Sequence, residues 1–156
     1  MQLIRGFEIK QEDFNSARGE VDNLFYKHWE EIALNKDKIK LNPDWTFYEA
    51  VYNAGNLGIY TARKDKALVG YFIIIARPHP HYKDHTFAVN DVLFIEPEHR
   101  KGLLGYFLIK YAEKDMKKKG VSVLTINTKV SKPLDVVLER LGFKNIEKVY
   151  SKYLGD

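Results

Sequence analysis

The chain has 156 residues, a formal net charge of +4 and no cysteine. That length holds one domain, expected over residues 1–156, and leaves no room for a second; the missing cysteine excludes disulfides, a thiolate nucleophile and cysteine metal sites. Hydrophobic residues at 45% and aromatics at 13% argue against a disordered chain. No apolar run approaches the ~18 residues of a membrane span, so a soluble cytoplasmic protein with no membrane partner is expected.

Leu3, Ile4, Phe7 and Ile9 predict one short strand interrupted by Gly6. From about Phe14, the positions Val21, Leu24, Phe25, His28, Trp29 and Ile32 fall on one face of a first helix. Asn42 and Pro43 read as the cap and first turn of a second, aromatic helix with Trp45, Tyr48 and Tyr52, stopped by Gly55. Its aromatics either line a pocket or cover the sheet. Leu57–Arg63 and Ala67–Ala76 predict a hairpin turning at 64–66. A loop follows from Arg77 to Asp84, whose His79 and His81, with His85 just beyond, weigh more as a solvent- or substrate-facing segment than as a metal site.

Thr86–Ile95 predicts a buried strand, and Leu104, Phe107, Leu108, Tyr111, Ala112 and Met116 recur at helical spacing after it. Between them lie Glu96-Pro-Glu-His-Arg-Lys-Gly-Leu-Leu-Gly105. A strand that turns through glycines into a helix start leaves several N–H groups unpaired and aimed at one point, an arrangement that binds phosphate. Lys110, Lys114, Lys117, Lys118 and Lys119 read as a solvated helix face and end rather than a nucleic-acid patch. Gly120 stops that helix, Val121–Asn127 is a strand, Ser131 reads as the cap of a fourth helix carrying Leu134, Val137, Leu138 and Leu141, and Ile146–Leu154 closes as a strand that could pair across a homodimer. The expected class is α/β: a mixed, mostly antiparallel sheet of six to seven strands with about four helices on its faces.

Arg100 and Gly105 between that strand and helix, the flanking Ile95-Glu-Pro-Glu-His-Arg100 and Leu108-Ile-Lys-Tyr-Ala-Glu113, and the later Leu138-Glu-Arg-Leu-Gly-Phe143 resemble the Gcn5-related N-acetyltransferase (GNAT) superfamily. The family's signature places Arg or Gln, then Gly three residues on, then Gly or Ala two after that. Here Leu103 stands at the first glycine, and Gly102 comes one position early.

The resemblance implies acetyl-CoA as cosubstrate. Its pyrophosphate would be held by the backbone of Arg100, Lys101, Gly102, Leu103, Leu104, Gly105 and Tyr106, with the side chains of Arg100 and Lys101 adding charge. Its pantetheine arm would pair with Leu93, Phe94 and Ile95, an N–H near Leu93 or Phe94 would polarise the thioester carbonyl, and Asn127 would border the arm's other side. Acetyl would pass by direct attack in a ternary complex to an amine on a small molecule or protein. Asp91 is the candidate base, since strand alternation puts it on the face of Leu93 and Ile95; Glu96 is the reserve. The family's usual acid, a tyrosine, is replaced by Leu138, so a weak or inert CoA-binding module is the alternative, with a tRNA-acetylating toxin a more distant one.

Overall fold

A computed structural model describes residues 1–155. Arg5 and Gly6 both take positive φ, 49° and 83°, the two-residue turn that suits the twist of a tight hairpin. The first apolar run is therefore two strands, β1 (Gln2–Ile4) and β2 (Phe7–Gln11), not one interrupted strand. Asp13 caps helix α1 (Phe14–Ile32) by accepting from the N–H of Ser16 at 3.2 Å. Helix α2 (Trp45–Asn53) is capped by Asp44, which accepts from Phe47 at 3.0 Å. Pro43 thus precedes the cap and does not open the helix.

Strands β3 (Leu57–Lys64) and β4 (Ala67–His79) join through Asp65 and Lys66. The expected loop after Ala76 is instead mostly strand: β4 runs on to His79 and β5 spans Tyr82–Ile95. Two features permit this. Pro78 lies beyond Ile75, the last β4 residue paired with β3, so its missing N–H interrupts no ladder on that side. His79 lies tilted against Phe87 at 4.5 Å and Tyr82 stacks on it at 5.8 Å, the aromatic contacts that stabilise paired strands.

After a 3₁₀ turn at Pro97–His99 come helix α3 (Leu104–Lys118), strand β6 (Val121–Thr125) and helix α4 (Asp135–Arg140). Ser131 is not the cap of α4: it sits in the small turn bridged by Lys129 and Lys132, and Pro133 keeps the preceding residue extended. Ile146–Leu154 forms no strand among the described residues. At period two Ile146, Tyr150 and Leu154 fall on one face but alternate there with Lys148 and Lys152, and Val149 falls on the other, so neither side is continuously apolar; Ile146, Val149 and Tyr150 are 72%, 81% and 88% exposed.

The six strands lie in sequence order in one sheet, antiparallel except for β5 and β6. Ile9, Tyr60, Phe72 and Ile74 bury against Leu108, Ile109 and Ala112 of α3 and Leu138 of α4. Ile59, Tyr71, Ile73 and Phe94 bury against α1 on the opposite face. The fold is a mixed sheet with two helices on each side, as expected, although a split first strand and a missing last one stand behind the agreement in number. No helix among the described residues is long and apolar enough to cross a membrane.

Candidate active site

The parallel ladder of β5 and β6 runs only from Thr86 and Val121 to Val89 and Thr125. Beyond it β5 continues to Ile95 with β4 on one side and no strand on the other. The two strands are last tied by the side-chain amide of Asn90, whose Oδ1 accepts from the N–H of Asn127 at 2.7 Å and whose Nδ2 donates to its C=O at 3.2 Å. Leu93, Phe94 and Ile95 therefore lie on the open arm of a fork and Asn127 on the other arm. The backbone of Asn127 is taken by the Asn90 side chain.

A bulge changes what strand alternation implies for Asp91. β4 pairs Ile73 with Val92 but Ile74 with Asn90, so Asp91 is the extra residue, and an extra residue reverses the alternation. Leu93 and Ile95 pack on the α3 face. Asp91 turns to the face of Val92 and Phe94 instead, where the hydroxyl of Tyr48 donates to its Oδ2 at 2.6 Å. The same-face expectation is thus corrected. The side chain keeps contact with solvent, yet the protein crowded round the carboxyl pushes its pKa up, an effect the Tyr48 hydrogen bond opposes. Burial and the carboxylate together push the Tyr48 hydroxyl up, so it stays a donor. Trp45 and Tyr52 of the same helix stack on Phe25 and Phe14 and cover the sheet; Tyr48 alone of the three reaches Asp91. Its role was visible in the sequence only as one aromatic among several, because the contact joins residues 43 positions apart.

At the end of β5, the N–H of Arg100 is paired with the C=O of Pro97 at 3.2 Å. The N–H groups from Lys101 to Tyr106 have no hydrogen-bond partner among the described residues. Six consecutive free donors at the start of α3, with its dipole behind them, suit a diphosphate. Gly105 sits where a Cβ would come within 3.4 Å of Ile95. Leu103 lines a cleft of about 170 Å³ with Ile4, Phe7, Leu104 and Phe107, between the turn and the β1–β2 hairpin. The side chain of Arg100 does not overhang the turn: Nε donates to the C=O of Ile95 at 2.6 Å, Nη2 donates to Glu31 Oε2 at 2.6 Å, and Nη1 donates to Glu31 Oε1. Lys101 is exposed at the turn. The reserve carboxylate Glu96 accepts from Lys27 at 2.9 Å.

The model of the acetyltransferase (GNAT) family matches residues 20–143, a span that takes in the fork, the turn of free N–H groups and α3. The chain belongs to the GNAT family. No curated protein matches the sequence. Among solved structures, this GNAT chain is similar to an aminoglycoside acetyltransferase from an uncultured soil metagenomic sample, in complex with trehalose, at 15% identity over 99% of both chains with a TM-score of 0.74. It is also similar to a ribosomal-protein-alanine N-acetyltransferase from Brucella melitensis biovar Abortus 2308, at 20% identity over 96% of this chain and 99% of that one, TM-score 0.69. A predicted acetyltransferase with acetyl-CoA from Clostridium acetobutylicum matches at 12% identity over 95% and 96% of the two chains, TM-score 0.70. These likenesses show a shared fold.

Around the GNAT fork, Leu138 is buried in the core beneath α4, and Tyr150 is 88% exposed. His79 accepts from the N–H of His81 at 3.1 Å, while His85 Nδ1 lies 2.9 Å from Ser122 Oγ. His28 of α1 lies beside Phe94, and burial lowers its pKa from 6.5 to about 4. The unfolded chain takes a proton there that the folded ring refuses. Urea unfolding at several pH values should therefore show stability falling by up to about 3 kcal/mol between pH 6.5 and about 4. In His28→Gln that fall should shrink by the same amount.

Proposed function

We propose that the protein is an acetyl-CoA-dependent N-acetyltransferase that moves an acetyl group to a primary amine by direct attack in a ternary complex. The observation that carries the reading is the fork at Asn90 followed by the free N–H groups of Lys101 to Tyr106. The open arm at Leu93, Phe94 and Ile95 would pair with the pantetheine arm as an added strand, and the turn would hold the pyrophosphate. Acetyl-CoA supplies the thioester. Asp91 removes a proton from the ammonium form of the acceptor. The freed lone pair then forms the new C–N bond as the C–S bond breaks, the nitrogen's surplus proton passes to the departing thiolate or to solvent, and the first proton stays on Asp91 until solvent takes it. A backbone N–H on the open arm would stabilise charge gathering on the carbonyl oxygen. With Leu138 in the core, the thiolate leaves without help from that position.

The acceptor is an amine-bearing small molecule or protein; structural neighbours include enzymes named for aminoglycosides and for a ribosomal protein. Acetyl-CoA at a hundred times its Kd should stabilise the protein by about 2.7 kcal/mol and raise its Tm by roughly 5–10 °C. Differential scanning fluorimetry reads this. No shift at millimolar acetyl-CoA would remove the enzyme reading, and a shift without CoA release over a broad amine panel would favour a binding module.

A further inference from the structure

The fork must be tied at its base and open above it, and one side chain does both. A parallel ladder continuing from Val89 and Thr125 would bring the strands together at the normal spacing of about 4.8 Å. At the next step, however, Asn90 reaches across with its side chain. Its amide gives the Asn127 backbone one acceptor and one donor, at 2.7 and 3.2 Å, the same pair that a strand rung would give. The side chain takes the place of a backbone rung, so the strands stay connected where the backbone ladder has stopped. Asn127 then has no stranded backbone group where the sheet parts. Asparagine alone meets both demands at this length: aspartate keeps the acceptor but loses the donor, and leucine has the shape but neither.

We infer that Asn90 is a positioning residue that sets the opening of the fork for an extended, amide-bearing ligand arm lying between β5 and β6. The inference rests on the acetyl-CoA reading above. It concerns the arm and not the phosphates, because Asn90 lies at the base of the fork and the free N–H groups of the turn lie past its open end at Ile95.

The test is calorimetry with acetyl-CoA on the wild type, Asn90→Leu and Asn90→Asp, with amide hydrogen exchange by NMR at Asn127. In the wild type the Asn127 amide should be protected. Asn90→Asp should keep that protection, since its carboxylate still accepts, whereas Asn90→Leu should lose it. The Kd for acetyl-CoA should rise about tenfold or more in Asn90→Leu and by less in Asn90→Asp. A role confined to stability would lower Tm and leave the Kd unchanged. Equal Kd values in the wild type and Asn90→Leu would overturn the inference, as would a fast-exchanging Asn127 amide in the wild type. Should Asn90→Leu fail to fold, an unchanged Kd in Asn90→Asp overturns it. A wild type that binds no acetyl-CoA overturns the parent reading instead, and the exchange data at Asn127 separate the two failures.

Discussion

Asp91→Asn should lower turnover about a hundredfold or more while leaving acetyl-CoA affinity unchanged. The substitution keeps shape and an acceptor for the Tyr48 hydroxyl, 2.6 Å away in the wild type, so the local structure stands and only the basic group is lost. The pH profile gives a second readout. As the proposed base Asp91 would act as its carboxylate, and crowding by protein has raised its pKa from 3.8. Turnover should fall as the pH drops through that raised value, and Asp91→Asn should lose this acid limb. Tyr48→Phe removes the hydrogen bond that lowers the Asp91 pKa, so in that variant the limb should move to higher pH. Steady-state assays following free CoA across pH measure all three proteins. Unchanged turnover of Asp91→Asn at every pH would sink the base assignment.

The parts of this site that were legible in the sequence are those that depend on neighbours along the chain. The run from Thr86 to Met116 shows a change from strand to helical spacing with glycines at the join, and it folds as a strand, a turn and a helix. What was not legible depends on pairing. Alternation alone places Asp91 with Leu93, and only the register against Ile73 and Ile74 exposes the extra residue that sends it to the α1 and α2 face. The same limit hid Glu31: nothing near position 31 announces that its carboxylate will hold the guanidinium of Arg100, 69 residues away. Arg100 looked like a phosphate ligand because its own neighbours are basic and glycine-rich. The last strand misled for a further reason. Ile146, Val149, Tyr150 and Leu154 have strand-forming composition, but composition does not provide an edge to pair with or a face to cover.

Arg63→Ala should destabilise the protein by about 3–5 kcal/mol, more than any exposed ion pair would. Arg63 stands in β3, 9% exposed, beside a bulge. All five of its N–H groups have acceptors: Nε and Nη2 bond Glu12 at 3.0 and 3.2 Å, Nη2 and Nη1 bond Glu20 at 2.9 and 3.1 Å, and Nη1 bonds the C=O of Lys66 at 2.9 Å. One guanidinium so joins the link between β2 and α1, the helix itself and the β3–β4 turn. The Glu12 side chain is 10% exposed, so removing Arg63 leaves a carboxylate with little water and only Lys10, at 3.7 Å, beside it, and that under-compensated charge carries most of the penalty. The Lys36–Glu30 pair, at 3.8 Å with the Glu30 side chain 70% exposed, should contribute about 0–1 kcal/mol. The double variant Arg63→Met with Glu12→Leu tests the cause, since it removes the buried charge along with its partner. It should lose less stability than Arg63→Met alone. Urea unfolding of the four proteins gives the comparison: a loss below about 1 kcal/mol for Arg63→Ala, the range of exposed pairs, would mean that water reaches Glu12 freely and that the network does not tie the first helix to the sheet.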